Sequence, residues 1–364
     1  MQNVYSSPGR YTQGPAVTDQ LVGEMAFLGL EGPVLIVAGP TVTKLLGKRW
    51  KTIFASVGIP CQLHPFAGQC TIAEIDAVAE VGRRSGAATL LAAGGGKVLD
   101  TTRAAAAKIK VPFISCPTVA STDSPCSAIA VIYSERGVYE TFHSFSHNPD
   151  LVLVDTEVIV QSPLRYFVAG MGDGLSTVFE ARACVAGARE NLRGGLTTLA
   201  AAEIGELCYR TLMEEGRTAL ADMRNQEVTP AFERVVEANT LLSGIGFESA
   251  GLAAAHGIHN AMTVAEGTHS YLHGEKVAFG VLVHLMLEAQ AEEVVAEVVA
   301  FCRDVGLPRT LAGVGLDAAD EQTLQQIAQA ATEPGSLVHN EPFEVTPEKV
   351  VQAILAADRV GNLP

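Results

Sequence analysis

The chain is short of charge. Of its 364 residues only 18% are Asp, Glu, Lys or Arg, while 48% are apolar; an average soluble domain carries about 25% charged residues. So much apolar material has to be buried, which excludes a disordered chain. Basic residues are scarcer still, at 25 Lys plus Arg against 40 Asp plus Glu, a formal net charge of −15. This balance argues against nucleic acid and against an anionic membrane surface as partners. It leaves a neutral small substrate open. Long hydrophobic runs are missing too. The mean hydropathy is +0.24, yet no stretch of about 18 residues is free of charges or turn formers, so no membrane-spanning helix is expected. The N-terminal stretch MQNVYSSPGRYTQGPAV has neither an apolar core nor a cleavage pattern, so it does not read as a signal peptide. The seven cysteines, Cys61, Cys70, Cys116, Cys126, Cys184, Cys208 and Cys302, are odd in number and form no CxxC pair. Free thiols in a cytoplasmic protein are expected.

What is present has an order along the chain. Up to about residue 160, short apolar runs near Gly or Pro (Pro33–Ala38, Pro60–His64, Ala88–Ala93, Val111–Cys116) alternate with stretches of helical spacing (Val42–Val57, Ile72–Gly86, Val98–Lys108). Continuous apolar strands alternating with helices predict a parallel sheet covered on both faces. Ser127–Tyr133 and Gly137–Phe142 read as an antiparallel hairpin, and Leu151–Val154 as one more strand. Beyond Pro163 the strand signals vanish. Segments of 3.6-residue period follow, among them Val168–Ala186, Gly195–Gly216, Pro230–Thr240 and Val277–Val305. Ser162-Pro163 reads as a helix start, with Ser as the cap and Pro in the first turn. An α/β unit over residues 1–160 and an all-helical unit over 161–364 are therefore expected, consistent with a chain long enough for two domains.

Three local patterns bear on chemistry. In Ala87–Thr102 a strand runs into Gly94-Gly95-Gly96-Lys97 and then into a helix. Glycines let backbone amides approach an anion, and a helix N-terminus adds free N–H groups and partial positive charge. The pattern is neither GxGxxG nor GxxxxGK[ST], and a tight turn before a capped helix is the competing reading. Cys116–Ser127 concentrates hydroxyls and one acid at what would be the carboxyl edge of the sheet, where open α/β sheets bind ligands; a solvated loop is its competitor. Finally, four of nine histidines fall close together: His256, His259, His269 and His273. Positions three or four apart share a helix face, and a divalent metal is one efficient partner for a buried imidazole. Asp173, flanked by Gly172 and Gly174 at an apparent helix entry, is either an N-cap or a carboxylate paired or bound to metal.

Together these residues carry a resemblance. Gly94–Asp100, Pro117–Ser127, Asn148–Asp155, Gly170–Asp173 and Ala253–Asn260 resemble, in the same order over nearly the whole chain, the glycerol dehydrogenases of the superfamily that unites iron-containing alcohol dehydrogenases with dehydroquinate synthase. The resemblance implies an N-terminal Rossmann-like domain, an all-α metal domain and an active site in the cleft between them. It implies Asp173, His256 and His273 as zinc ligands, with His259 and His269 outside that set. Gly94, Gly95, Gly96, Lys97 and Val98, with Asp100 in the same motif, match the pyrophosphate turn. Thr118, Val119, Ala120, Ser121, Ser127, Ile129, Val131 and Tyr133 match the face against the nicotinamide half, and Asp123 a contact to a substrate hydroxyl. The activity implied is oxidation of glycerol, or a similar vicinal diol, to dihydroxyacetone: zinc favours the alkoxide and a hydride passes to NAD. A homo-oligomer, dimer to octamer, is implied as well.

Two positions depart from the family pattern. Thr177 stands where iron-type members carry a histidine, which favours three-ligand zinc over four-ligand iron. Gly39, in Val37-Ala38-Gly39-Pro40-Thr41, stands where an acid for the adenosine ribose is expected. Its absence removes a hydrogen bond to NAD and a repulsion against the 2′-phosphate of NADP, which Thr41, Lys44 or Lys48 would meet. A 2-hydroxyacid or other polyol dehydrogenase is the alternative, although Asp123 opposes a carboxylate substrate. A dehydroquinate synthase-like lyase would need several basic residues in the cleft, and only Lys276 lies near.

Overall fold

The structure is a computed structural model and describes residues 1–363. Among the described residues eight strands form: β1 Tyr11–Gly14, β2 Val34–Ala38, β3 Cys61–Pro65, β4 Thr89–Gly94, β5 Phe113–Pro117, β6 Ile129–Tyr133, β7 Tyr139–Ser144 and β8 Leu151–Asp155. Six of them make one sheet in the order β1-β8-β5-β4-β2-β3, with every pair parallel. β6 and β7 pair antiparallel as the expected hairpin.

The apolar strands explain the layering. Alternate residues of β2 point to opposite faces. Val34, Ile36 and Ala38 join Leu21, Met25, Trp50 and Phe54 on one side. Leu35 and Val37 join Ile75, Val78 and Leu99 on the other. β1 carries no such signal. It is four residues long, sits at the sheet edge and is only partly buried, so its sequence gave no apolar run to read. The helix Leu21–Leu28 was equally unannounced.

The second half is helical. Its core is built around Leu164–Ala186, against which pack Leu199–Asn225, Ser243–Ala250, Ala254–Met262 and His273–Leu287. Val152 and Val154 of β8 belong to the same core, so the sheet is seated on the helices. Residues 1–9 cross over too: the Val4 amide donates to the Leu196 carbonyl (3.0 Å) and the Ser6 amide to Ser249 Oγ (3.0 Å).

Three expectations need correction. Ser162 caps nothing: Pro163 is the N-cap and Ser162 Oγ is buried without a hydrogen bond. Val277–Val305 is not one helix. It breaks after Leu287, Ala289 takes a left-handed conformation (φ 49°), and a new helix runs Glu292–Val305. The helix expected over Gly195–Gly216 starts at Leu199, where the Thr198 hydroxyl accepts the Ala201 amide, and extends to Asn225. Among the described residues no helix is long and apolar enough to cross a membrane.

Glycines set the closest approaches. A Cβ on Gly274 would lie 1.8 Å from the Ala169 carbonyl oxygen, and one on Gly170 would lie 2.0 Å from that of Ala120. These contacts are with backbone, which cannot swing aside. They bring Leu164–Ala186 against both His273–Leu287 and the loop after β5. Gly274→Ala is therefore expected to cost roughly 3 kcal/mol of stability. Gly23→Ala, where a Cβ meets nothing within 4 Å, should gain about 0.5–1 kcal/mol. Urea denaturation of both variants checks the contrast, and equal effects would refute it.

Candidate metal centre and cofactor cleft

Asp173 is not at a helix entry, so the N-cap reading fails. It sits inside Leu164–Ala186 with no exposure to solvent. An ionised carboxylate there is costly unless it is paired, and two imidazoles supply the pairing. His256, from Ala254–Met262, brings Nε2 to 3.5 Å from Asp173 Oδ1. His273, the first residue of His273–Leu287, brings its Nε2 to 3.1 Å from the same oxygen. Oδ1 nevertheless makes no hydrogen bond. Two ligands about 2.1 Å from a tetrahedral ion lie about 3.4 Å apart, and both separations from Oδ1 are near that value. One ligand atom from each residue lies within 4.8 Å of the others. An Asp–His–His set of this kind, buried at Asp173 and His256 and half-buried at His273, fits a divalent metal.

The charges follow from these contacts. Burial alone would raise the Asp173 carboxyl, but His273 and His256 outweigh it and hold the group well below the usual carboxylate range. Burial would likewise depress the His256 imidazole. Glu180 and Asp173 reverse this and raise it well above its ordinary value.

Glu180 is the residue that the sequence reading missed. It lies two helical turns beyond Asp173, on the same face, and is fully buried. Its Oε2 is 2.7 Å from His256 Nδ1, while Oε1 accepts the amides of His256 (2.8 Å) and Ala253 (2.9 Å). A carboxylate on Nδ1 fixes the proton there and leaves the Nε2 lone pair facing Asp173. The available signal was two acids seven apart in a segment that has no other charge between Phe167 and Phe179.

The remaining histidines fall outside the set. The His259 ring packs 4.2 Å from that of His273 and its Nδ1 meets Asn260 Oδ1 at 3.0 Å. His269 is exposed and contacts the Thr263 carbonyl at 2.9 Å. Thr177 turns to Ser243 (Oγ to Oγ, 3.2 Å), so it brings no fourth ligand.

The sheet half meets this cluster through the loop after β5. The Thr118 amide donates to the Gly94 carbonyl (3.0 Å), and the Asp123 amide donates to Asp173 Oδ2 (3.1 Å). Ala120 is buried at the junction, its carbonyl accepting from Asn239 Nδ2 (3.1 Å). Asn239 lies in a π-helical turn, Ala238–Leu242. Burial, and the Asp173 carboxylate beside it, push the Asp123 carboxyl well above its normal range.

Gly95 is the N-cap of the helix Gly96–Ile109 and no side chain caps it, so the Gly96 and Lys97 amides stay available, while that of Val98 donates to the Gly95 carbonyl (3.0 Å). Val98 packs into the sheet core, and a Cβ on Gly94 would lie 2.8 Å from its Cγ2. Lys97 places its ammonium 5.8 Å from the Tyr133 ring centre. Asp100 is turned inward: its Oδ1 accepts from Arg103 (2.7 Å) and Ser124 Oγ (2.7 Å), and its Oδ2 from the Val131 amide (3.0 Å). It braces the loop from beneath. Ser127 is buried, with Oγ 3.3 Å from the Ser124 carbonyl. Ile129 packs with Phe247 and Leu252. Val119, Ser121, Val131 and Tyr133 are partly exposed.

The family model for iron-containing alcohol dehydrogenase matches residues 8–156. Over 98% of this chain and 97% of its own length, the glycerol dehydrogenase of Thermotoga maritima is 44% identical. A glycolaldehyde reductase of Halobacterium salinarum is 40% identical over 100% of this chain and 99% of its own. The crystal structure of a probable glycerol dehydrogenase from Sinorhizobium meliloti superposes with a TM-score of 0.93 at 38% identity, covering 99% of both chains.

Glu180→Gln should lower affinity for Zn²⁺ about 10–100-fold, because the amide holds the Nδ1 proton less firmly. His269→Ala should leave affinity unchanged. Competition against a chromophoric chelator measures both, and a loss in His269→Ala that matched the Glu180→Gln loss would refute the assignment.

Proposed function

The chain belongs to the iron-containing alcohol dehydrogenase family and is an oxidoreductase, and we propose that it oxidises glycerol or a similar vicinal diol to dihydroxyacetone or the matching hydroxyketone. In this reading Asp173, His256 and His273 hold one metal ion and Gly94–Gly96 hold the diphosphate of a nicotinamide dinucleotide. The observation that carries it is the direct link between the two halves: the Asp123 amide donates to Asp173, the carboxylate that both histidines face. Any substrate at that carboxylate is thereby beside the loop at the end of β5. Relatives along the full length support the substrate class through the name glycerol dehydrogenase.

When bound, the metal supplies Lewis-acid polarisation of a substrate oxygen and the dinucleotide accepts the hydride. The protein's own part is positional. Glu180 holds the His256 Nδ1 proton and so keeps Nε2 available. Asp123 orients the free hydroxyl next to the reacting carbon. The reaction removes a hydride from the secondary carbon and a proton from its hydroxyl, leaving a ketone. Three protein ligands, with Thr177 turned to Ser243, favour zinc over a four-ligand iron site. The halobacterial relative's name supports a second reading, reduction of a short hydroxyaldehyde in the reverse direction.

Cofactor choice rests on Gly39. It ends β2 as the N-cap of the helix Pro40–Ser56, and a Cβ there would meet nothing within 4 Å. Packing does not demand a glycine at this point, so an acid for the ribose hydroxyl is absent for no steric reason. Thr41, Lys44 and Lys48 are exposed on the same helix and supply donors for a 2′-phosphate.

A polyol and hydroxyaldehyde screen with both cofactors, with and without added Zn²⁺, tests the proposal. Metal-dependent turnover of glycerol supports it, and turnover of none of the diols overturns it. NADP should reach a kcat/KM within about tenfold of that for NAD; an NAD preference of about a hundredfold or more would sink the reading of Gly39. Asp123→Asn should raise KM for glycerol about tenfold, the loss of one hydrogen bond, and leave KM for isopropanol nearly unchanged. Equal changes on both alcohols would remove the orienting role.

A further inference from the structure

A second cluster of ligating side chains lies behind the first. His284 is in the helix His273–Leu287, Glu288 follows its end, and Glu341 follows the short turn Leu337–Asn340. One ligand atom from each lies within 4.8 Å of the others. His284 and Glu341 have no solvent exposure.

Its polar atoms are not satisfied. Neither ring nitrogen of His284 makes a hydrogen bond, and neither does Glu341 Oε2. His284 Nε2 lies 3.4 Å from Glu288 Oε2, and Nδ1 lies 3.6 Å from Glu341 Oε1. These separations exceed a normal N–H···O bond. The separation of Nε2 from Glu288 matches the spacing of about 3.4 Å expected between two ligands of one tetrahedral ion.

The charge count agrees. Two carboxylates face one imidazole, so even an imidazolium leaves the group negative, and Glu180 adds its own field at Glu341. Basic side chains nearby are committed elsewhere. Arg189 reaches only the Glu341 backbone carbonyl (3.4 Å), and Arg182, toward Glu288, is paired with Glu206 through two contacts of 2.7 Å. A buried cluster of net negative charge calls for a proton or a cation.

We propose that His284, Glu288 and Glu341 form a second divalent-cation site, structural in role, for an ion that accepts imidazole with carboxylates, such as zinc or manganese. The ion takes Nε2, Glu288 and the free Oε2 of Glu341. Glu341 Oε1 accepts the Ala254 amide (3.0 Å), which holds that carboxylate at the cluster. His284 Nε2 and Glu341 Oε2, both otherwise without a hydrogen bond, thereby gain a partner. Glu288, the one member with partial exposure, is the side of entry.

This ion would tie together three pieces: the helix that starts at His273, the start of the helix that carries His256, and the chain at Glu341. It would brace both histidine-bearing helices without touching substrate.

Ion counting on full-length protein tests the site. The chain is stripped with chelator, reloaded with excess Zn²⁺, desalted and analysed for metal. Wild type should hold about two ions per chain, and Glu341→Gln and His284→Gln about one each. Asp173→Asn should also keep about one, and added Zn²⁺ should raise its Tm, an effect lost when Glu341→Gln is combined with it. A single ion in wild type, or none in Asp173→Asn, overturns the site. Should Glu341→Gln fail to fold, His284→Gln and the Asp173→Asn count still decide. An Asp173→Asn chain that holds both ions instead overturns the Asp173 centre and leaves this one standing.

Discussion

The burial of the Asp173 carboxylate is the constraint around which the rest of the molecule is arranged. A charge with no access to solvent inside a long apolar helix must be met from outside that helix. Two imidazoles from two other helices and one backbone amide from the sheet half converge on its two oxygens. Each partner needs its own element to come unusually close, and glycines make that possible. Gly170 admits the Ala120 carbonyl, Gly172 admits that of Gly274, and Gly274 admits that of Ala169. The density of glycine along this helix is thus a packing requirement of the site.

A second layer of charge supports the first. Glu180 and Glu341 lie fully buried behind His256 and accept the amides of Ala253, Ala254 and His256. These are the donors that the start of a helix leaves unpaired, and Ala253 offers no side chain to satisfy them. The two carboxylates therefore begin the helix at a defined point, and Glu180 also fixes the rotation of the imidazole it carries. On the sheet side, Asp100 and Arg103 play a similar part by bracing the loop of Asp123 from below through Ser124.

Legibility in the sequence varied with how local the cause was. The parallel sheet was readable because β2, β4, β5 and β8 are wholly buried apolar runs. β1 was not, because an edge strand of four partly buried residues needs no such run. The break after Leu287 was also hidden, since apolar periodicity continues through the turn at Ala289. The reading of Asp173 as a helix entry misjudged flanking glycines, which serve close packing in mid-helix. His284 and Glu341 raised no signal, because a lone acid or histidine shows nothing of its partner, and the one signal of Glu180 was its spacing of seven from Asp173.

The amino-acid sequence by itself determined the charge balance, the strand–helix rhythm, the glycine turn at Gly94–Gly96 and a short list of ionisable residues in apolar surroundings. Each is a property of neighbouring positions, set by side-chain polarity, periodicity and backbone freedom. Tertiary structure alone decided which histidines face Asp173 and which carboxylate holds His256. It also decided which polar atoms of His284 and Glu341 are left unpaired. The physical reason is that a buried charge is stabilised over a few ångströms of space, and the chain brings its partners there from many turns of helix away, through backbone contacts that no local pattern encodes.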